Sequence, residues 1–292
     1  MESKIAKVLK LKYEPVAIIW SDEKPDDAVQ FKEGQWGCVM WMLARAAKGE
    51  VAVFSRKTFG CQGGGTGLGF GNLYEKWFLG GLEGFCYFLS TGYEQWKNGK
   101  KLLESMREKL GKDRFEKIMH GERYIKSPEL VKKFVKQLPI TEVPTKYVVF
   151  KPLSKVDEEE PVVVVFIVNP HQLSALVILA NYAREGIDNV FIPMGAGCHQ
   201  IGIFAYREVQ SDAPRAVIGL TDLDARMNVR RQLGDNVLTF TVPFKMFKEM
   251  EENVEGKLPR NWNLDKASKI RRLAQNIKRK EKIRVRIFLG TS

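Results

Sequence analysis

Short apolar runs, separated by charged or glycine-rich stretches, follow one another along most of the chain. Glu14–Trp20 (EPVAIIW), Val51–Ser55 (VAVFS), Lys146–Leu153 (KYVVFKPL) and Pro161–Val168 (PVVVVFIV) have the length and apolar content of buried strands. Trp36–Glu50 and His171–Gly186 have helical spacing and glycine at or near their ends. Further strands are expected at NVF (189–191), AVIGL (216–220) and NVLTFTVP (236–243), with a helix starting near Pro243. Residues 98–110 and 128–137 mix charge and apolar positions as surface helices do. The glycine-broken stretch 75–96 leaves its type open, and GCQGGGTGLG (60–69) and GAGC (195–198) read as glycine-rich turns.

Two segments align without a gap at an offset of 137, residues 44–67 and 181–204. Gly49 matches Gly186, Val53-Phe54 matches Val190-Phe191, Gly60-Cys61 matches Gly197-Cys198, and Gly65 matches Gly202. Each copy follows a β-rich run, so the unit reads strand, helix, strand, Gly-Cys turn. The pattern predicts an α/β (or α+β) fold of two pseudo-symmetric strand-helix-strand lobes with mixed sheets. The expected division is an N-terminal lobe at 1–142, a C-terminal lobe at 143–265 and a basic C-terminal tail at 266–292. Packing about a pseudo-twofold axis would bring Cys61 and Cys198 to one cleft. Turns that follow parallel strands also gather at one sheet edge, where open α/β sheets bind ligands.

Charge changes the picture only at one end. Between Lys266 and Arg286 ten basic residues face the single acid Glu281, a surplus of nine, so little of the net charge of +12 belongs to the rest. Contact with RNA or an acidic partner is therefore expected, if anywhere, at residues 266–286, where Ile270, Leu273 and Ile277 share a helical face. The longest apolar run is too short for a bilayer, which needs about 20 residues, and the charged start does not read as a secretory signal. A soluble, cytoplasmic protein with no membrane span is expected.

In a reducing compartment the four cysteines, Cys38, Cys61, Cys86 and Cys198, point away from disulfides. No CxxC occurs, and GGGTGLG lacks the Lys-Ser/Thr of a P-loop. Soft thiolates select zinc or iron–sulfur clusters, and glycines beside a ligand let backbone amides reach the sulfurs. Cys38, Cys61 and Cys198 are the expected ligands of a metal centre, most readily a 4Fe-4S cluster with zinc as the alternative, in a redox or electron-transfer role. Cys86 and His199 are held in reserve. Cys38, at a helix start, is a candidate for a thiolate of lowered pKa. Gly63, Gly64 and Gly69 would shape the ligand turn. In TDLDAR, Asp222, Asp224 and Arg226 follow a strand end, where Asp222 and Arg226 would orient a small-molecule substrate or a redox partner protein. Two alternatives stay open: a metal-free thiol enzyme using Cys61 or Cys198, with His199 as base, and a small-molecule-binding module with a basic tail.

The order PVAIIW, F-G-C-x-G-G-x-x-x-L-G, PVVVVFIVNP, G-A-G-C and D-x-x-A-R resembles the DUF169 family, uncharacterised proteins of archaea and anaerobic bacteria, over about residues 10–262. The resemblance implies that Cys38, Cys61 and Cys198 occupy family cysteine positions and that Gly63, Gly64 and Gly69 match its glycine-rich turn. It also implies a cytoplasmic protein, often of an anaerobic host in which an oxygen-sensitive cluster survives. The chain departs from the pattern at Gly219-Leu220-Thr221, where some members carry a further cysteine, and in the basic end after Lys266.

Overall fold

The computed structural model describes residues 1–254. The expected basic tail at 266–292 lies outside the described residues. Seven strands form one sheet: β1 (Val16–Ser21), β2 (Ala52–Ser55), β3 (Tyr147–Pro152), β4 (Val163–Val168), β5 (Val190–Phe191), β6 (Ala216–Gly219) and β7 (Leu238–Pro243). Their order is β2-β3-β1-β4-β7-β6-β5. All neighbours are antiparallel except β5 and β6, so the sheet is mixed and the class is α/β.

Side chains alternate between the faces along each strand, and each face builds its own core. Val16 and Ile18 of β1 and Val163, Val165 and Ile167 of β4 point to one face, which is covered by helix Val39–Ala46 and the helices of the second half. Ala17, Ile19, Val164, Phe166 and Val168 point to the other, under helices Pro170–Asn181 and Phe244–Asn253. Burying β4 on both faces explains why its sequence is unbroken Val, Ile and Phe rather than alternating. A smaller core of Tyr93, Trp96, Leu103, Phe115, Ile118 and Met119 sits in the helical stretch between β2 and β3.

The sheet does not divide at residue 142. β3 lies beyond that position in sequence, yet pairs with both β1 and β2. β7 likewise lies between β4 and β6. The aligned segments take corresponding courses. Their leading strands β1 and β4 are central neighbours, and β2 and β5 are the two opposite edges. Gly49 and Gly186, which follow the intervening helices, both take positive φ (105° and 86°), a conformation glycine enters without steric cost.

The turns bearing the cysteines are helical. Gln62–Gly67, sequence QGGGTG, is a helix capped by Cys61, and Gly197–Ile201 is a second helix with Cys198 inside its first turn. Glycine disfavours a helix by about 1 kcal/mol per residue relative to alanine. Close approach accounts for its use here. A Cβ on Gly67 would lie 2.6 Å from the carbonyl carbon of Cys198, and one on Gly202 would overlap the carbonyl oxygen of Gly67. The two short helices therefore cross backbone against backbone.

Candidate functional site

That crossing fixes the geometry of two thiols. The Sγ of Cys61 accepts a hydrogen bond from the Gly64 amide at 3.2 Å, and the Cys198 thiol donates to the Gly63 carbonyl at 3.1 Å. Two cysteines 137 positions apart thus bond to adjacent residues of one turn. Cys38 stands at the N-cap position of helix Val39–Ala46 without a side-chain capping bond, and it lines the same cleft as Cys61, Cys198 and Gly63. The cleft encloses about 940 Å³.

Asp222 holds one wall in place. It caps helix Leu223–Leu233 by accepting from the Ala225 amide at 2.7 Å, and it also accepts from the Gly197 amide at 2.5 Å, at the start of the Cys198 helix. Gln200, buried in that helix, donates to Thr221 Oγ1 at 2.6 Å. The turn carrying Thr221 and Asp222 contains Leu220 with φ 59°, a left-handed conformation uncommon for a residue with a side chain and found disproportionately beside functional sites.

The structure does not bring every expected residue to this place. Arg226 is absent from the cleft wall; its guanidinium donates to the carbonyls of Leu220, Val237 and Asp235 and locks the Leu220 turn from behind. Gly64 and Gly69 do not line the cleft either. Gly64 supplies the amide to Cys61, whereas Gly69, at φ 88°, accepts from the Val143 amide at 2.7 Å. Cys86 is buried among the aromatics of helix Gly81–Leu89 and outside the cleft. His199 lines the cleft, but its Nε2 is paired with the Tyr74 hydroxyl at 2.8 Å rather than with a thiol. Its Nδ1 is buried with no hydrogen-bond partner.

The DUF169 profile, described as Uncharacterised ArCR, COG2043, matches residues 4–253. The chain belongs to the DUF169 family. No curated protein and no solved structure matches it.

In this DUF169 chain the cleft contains a charged group that its sequence pattern did not reveal. Lys117, from helix Lys112–His120, reaches Glu122 at 3.1 Å and Asp224 at 2.5 Å. The Asp224 amide donates to the Tyr124 hydroxyl at 3.1 Å, and the Glu122 amide to the Phe88 carbonyl at 2.7 Å. Sequence offered one signal, the Asp222/Asp224 pair; Lys117 and Glu122 sit in an ordinary charged stretch and are joined to it only by the fold.

Burial governs the ionisation of the whole group. It pushes the Cys38 thiol up to about 12, with the nearby Cys61 adding to the effect. The helix start at Cys38 therefore does not make a thiolate, because desolvation outweighs the backbone contribution. Cys198 is also raised by burial, then by Cys61 and Cys38, and Cys61 is raised by burial against the opposing amides of Gly64 and Gly63. Cys61 thus raises both of the other two thiols. Burial lowers His199 to about 4, so it is neutral at pH 7. Burial also raises Glu122 to about 7 despite Lys117, with Asp224 and Asp222 repelling it further.

No group of three or more His, Cys, Asp or Glu side chains among the described residues is arranged to hold a metal ion. One zinc ion binds sulfur at about 2.3 Å and would require the sulfurs almost in contact. A cluster spreads its ligands around a larger inorganic core, so the two centres make different demands on this cleft. No helix among the described residues is long and apolar enough to cross a membrane.

Proposed function

We propose that the cleft is the seat of an iron–sulfur cluster held by Cys38, Cys61 and Cys198, serving redox chemistry on a small molecule in the cytoplasm. The supporting observation is the convergence of three sequence-remote thiols on one cavity, where two of them bond to consecutive residues of the same glycine turn. The residue type suits the group. Thiolates are the usual ligands of such clusters, and amides aimed at the sulfurs tune them. Bound there, a cluster supplies one-electron chemistry. Three thiols leave one position for a further ligand. Tyr74 and the neutral His199 line the same cleft and would be the candidates for it. Raised thiol pKa values weigh against a metal-free nucleophile, because a protonated thiol attacks poorly, whereas a metal deprotonates the thiols that coordinate it. Residues 266–286 are proposed separately as a polyanion contact, on charge alone.

Anaerobic reconstitution with ferrous iron and sulfide tests the main reading. Bound iron and sulfide should appear with a visible charge-transfer band. Cys38→Ser, Cys61→Ser and Cys198→Ser should each lose most of it, and Cys86→Ser should retain it. A protein that takes up no iron, or loses as much through Cys86→Ser, would overturn the assignment.

A further inference from the structure

One wall of the cleft is a run of aromatic rings. Tyr74 stacks on Phe85 with centroids 3.8 Å apart, Phe85 meets Phe78 edge-on at 5.4 Å, and Phe78 lies 5.2 Å from Phe88. The run begins at the thiol end, where Tyr74 bonds to His199, and ends where the Phe88 carbonyl receives the Glu122 amide. Trp36 and Trp77, both substantially exposed, stand at the rim. The charges are one-sided. Asp113, Glu122, Asp222 and Asp224 line the cleft, against Arg114 and Lys117. This acidic interior belongs to a chain whose net charge is +12.

We propose that the cleft binds an apolar cation, of the alkylammonium or aromatic-ammonium class, with its charge between the aromatic wall and the Glu122–Asp224 carboxylates. Aromatic faces attract cations, and the attraction grows when water is excluded. Carboxylates in a low-dielectric cavity strengthen it and repel anions by the same amount. Lys117 is the only cation bonded to both carboxyl groups among the described residues, so that with both ionised one negative charge is left unbalanced. Burial and the neighbouring Asp224 and Asp222 oppose the ionisation of Glu122. A ligand cation relieves that repulsion. An anionic ligand, phosphate esters included, would add to it. As a statement about substrate this rests on the redox reading above; the binding site itself does not.

The test uses the full chain, titrated by calorimetry at fixed ionic strength with benzyltrimethylammonium, neutral neopentylbenzene and phenylmethanesulfonate. The ammonium should bind at least about tenfold more tightly than the sulfonate, with the neutral isostere between them. Two substitutions in the trio should then act in opposite directions. Lys117→Met removes the built-in counter-ion and should tighten the ammonium several-fold, whereas Glu122→Gln should weaken it several-fold. A folding defect cannot produce opposite signs, and binding of the neutral isostere serves as the control for an intact cavity. Equal binding of sulfonate and ammonium, or shifts of the same sign in both variants, would overturn the proposal. Repeating the titration on iron-free and reconstituted protein separates the two readings. Ammonium binding without iron uptake defeats only the cluster, and iron uptake without ammonium selectivity defeats only the cation site.

Discussion

Glu122 gives a measurable consequence of burying charge. Its carboxyl is raised to about 7 from an ordinary 4.5, first by burial and then by Asp224 and Asp222. Between those values the folded chain holds a proton that the unfolded chain has released, so stability falls as pH rises from about 4.5 to 7. At 1.36 kcal/mol per unit the full effect is roughly 3 kcal/mol. Glu122→Gln removes the titration. Relative to the parent, the variant should gain stability steadily through that window and hold the gain above it, as read by urea denaturation at a series of pH values. A difference that stays flat with pH would mean that Lys117 satisfies the carboxylate fully. At the residue level the cysteines were legible, because their chemistry is rare and three of them follow glycine or precede a helix. Lys117, Glu122 and Tyr74 were not. Lys117 and Glu122 are common charges, and what singles out all three is a position that only the tertiary packing creates.

The elements of the site are two helices that sequence rules would not choose. QGGGTG reads as a turn on propensity, since each glycine costs about 1 kcal/mol in a helix, and its helical form follows from what it packs against. The gap between the crossing helices is too narrow for a methyl group at Gly67, where the obstructing atoms are the backbone of Cys198 and His199. Backbone cannot rotate away as a side chain can. Gly67→Ala should therefore cost about 3 kcal/mol, the upper part of the range for overpacked sites, and should lower iron uptake by displacing Cys198. Denaturant midpoints at unchanged slope would measure the first effect, and a cost under about 0.5 kcal/mol would show that the helices can separate freely. Helix Leu223–Leu233 was missed for a different reason. Its face is polar apart from Ala225, Val229 and Leu233, so periodicity is weak, although Asp222 is an ordinary N-cap in hindsight. The strands, by contrast, were all found where apolar runs placed them.

Across the whole molecule, the apolar pattern located the strands but not their neighbours. Nothing in KYVVFKPL says that β3 inserts between β1 and β2, nor does NVLTFTVP say that β7 inserts between β4 and β6; those pairings are long-range, and any all-apolar strand would satisfy them equally. The same scale decides where polyanions would bind. With the surplus of nine charges confined to 266–286, the remainder of the chain carries only about three, and the cleft is acidic. Binding to nucleic acid releases condensed counter-ions, so the logarithm of affinity falls linearly with that of salt, at about 0.7 per phosphate contacted on a single strand. The full chain should bind single-stranded RNA with a steep salt slope, while a chain ending at Asp265 should lose that binding and keep its thermal midpoint. Charge confined to one segment predicts all-or-none loss; charge spread over the folded body would predict a partial one. Should the shortened chain keep the affinity and slope of the full one, the basic residues that matter would have to be those of the folded body, and the polyanion contact would move from residues 266–286 to the surface of the sheet and its helices.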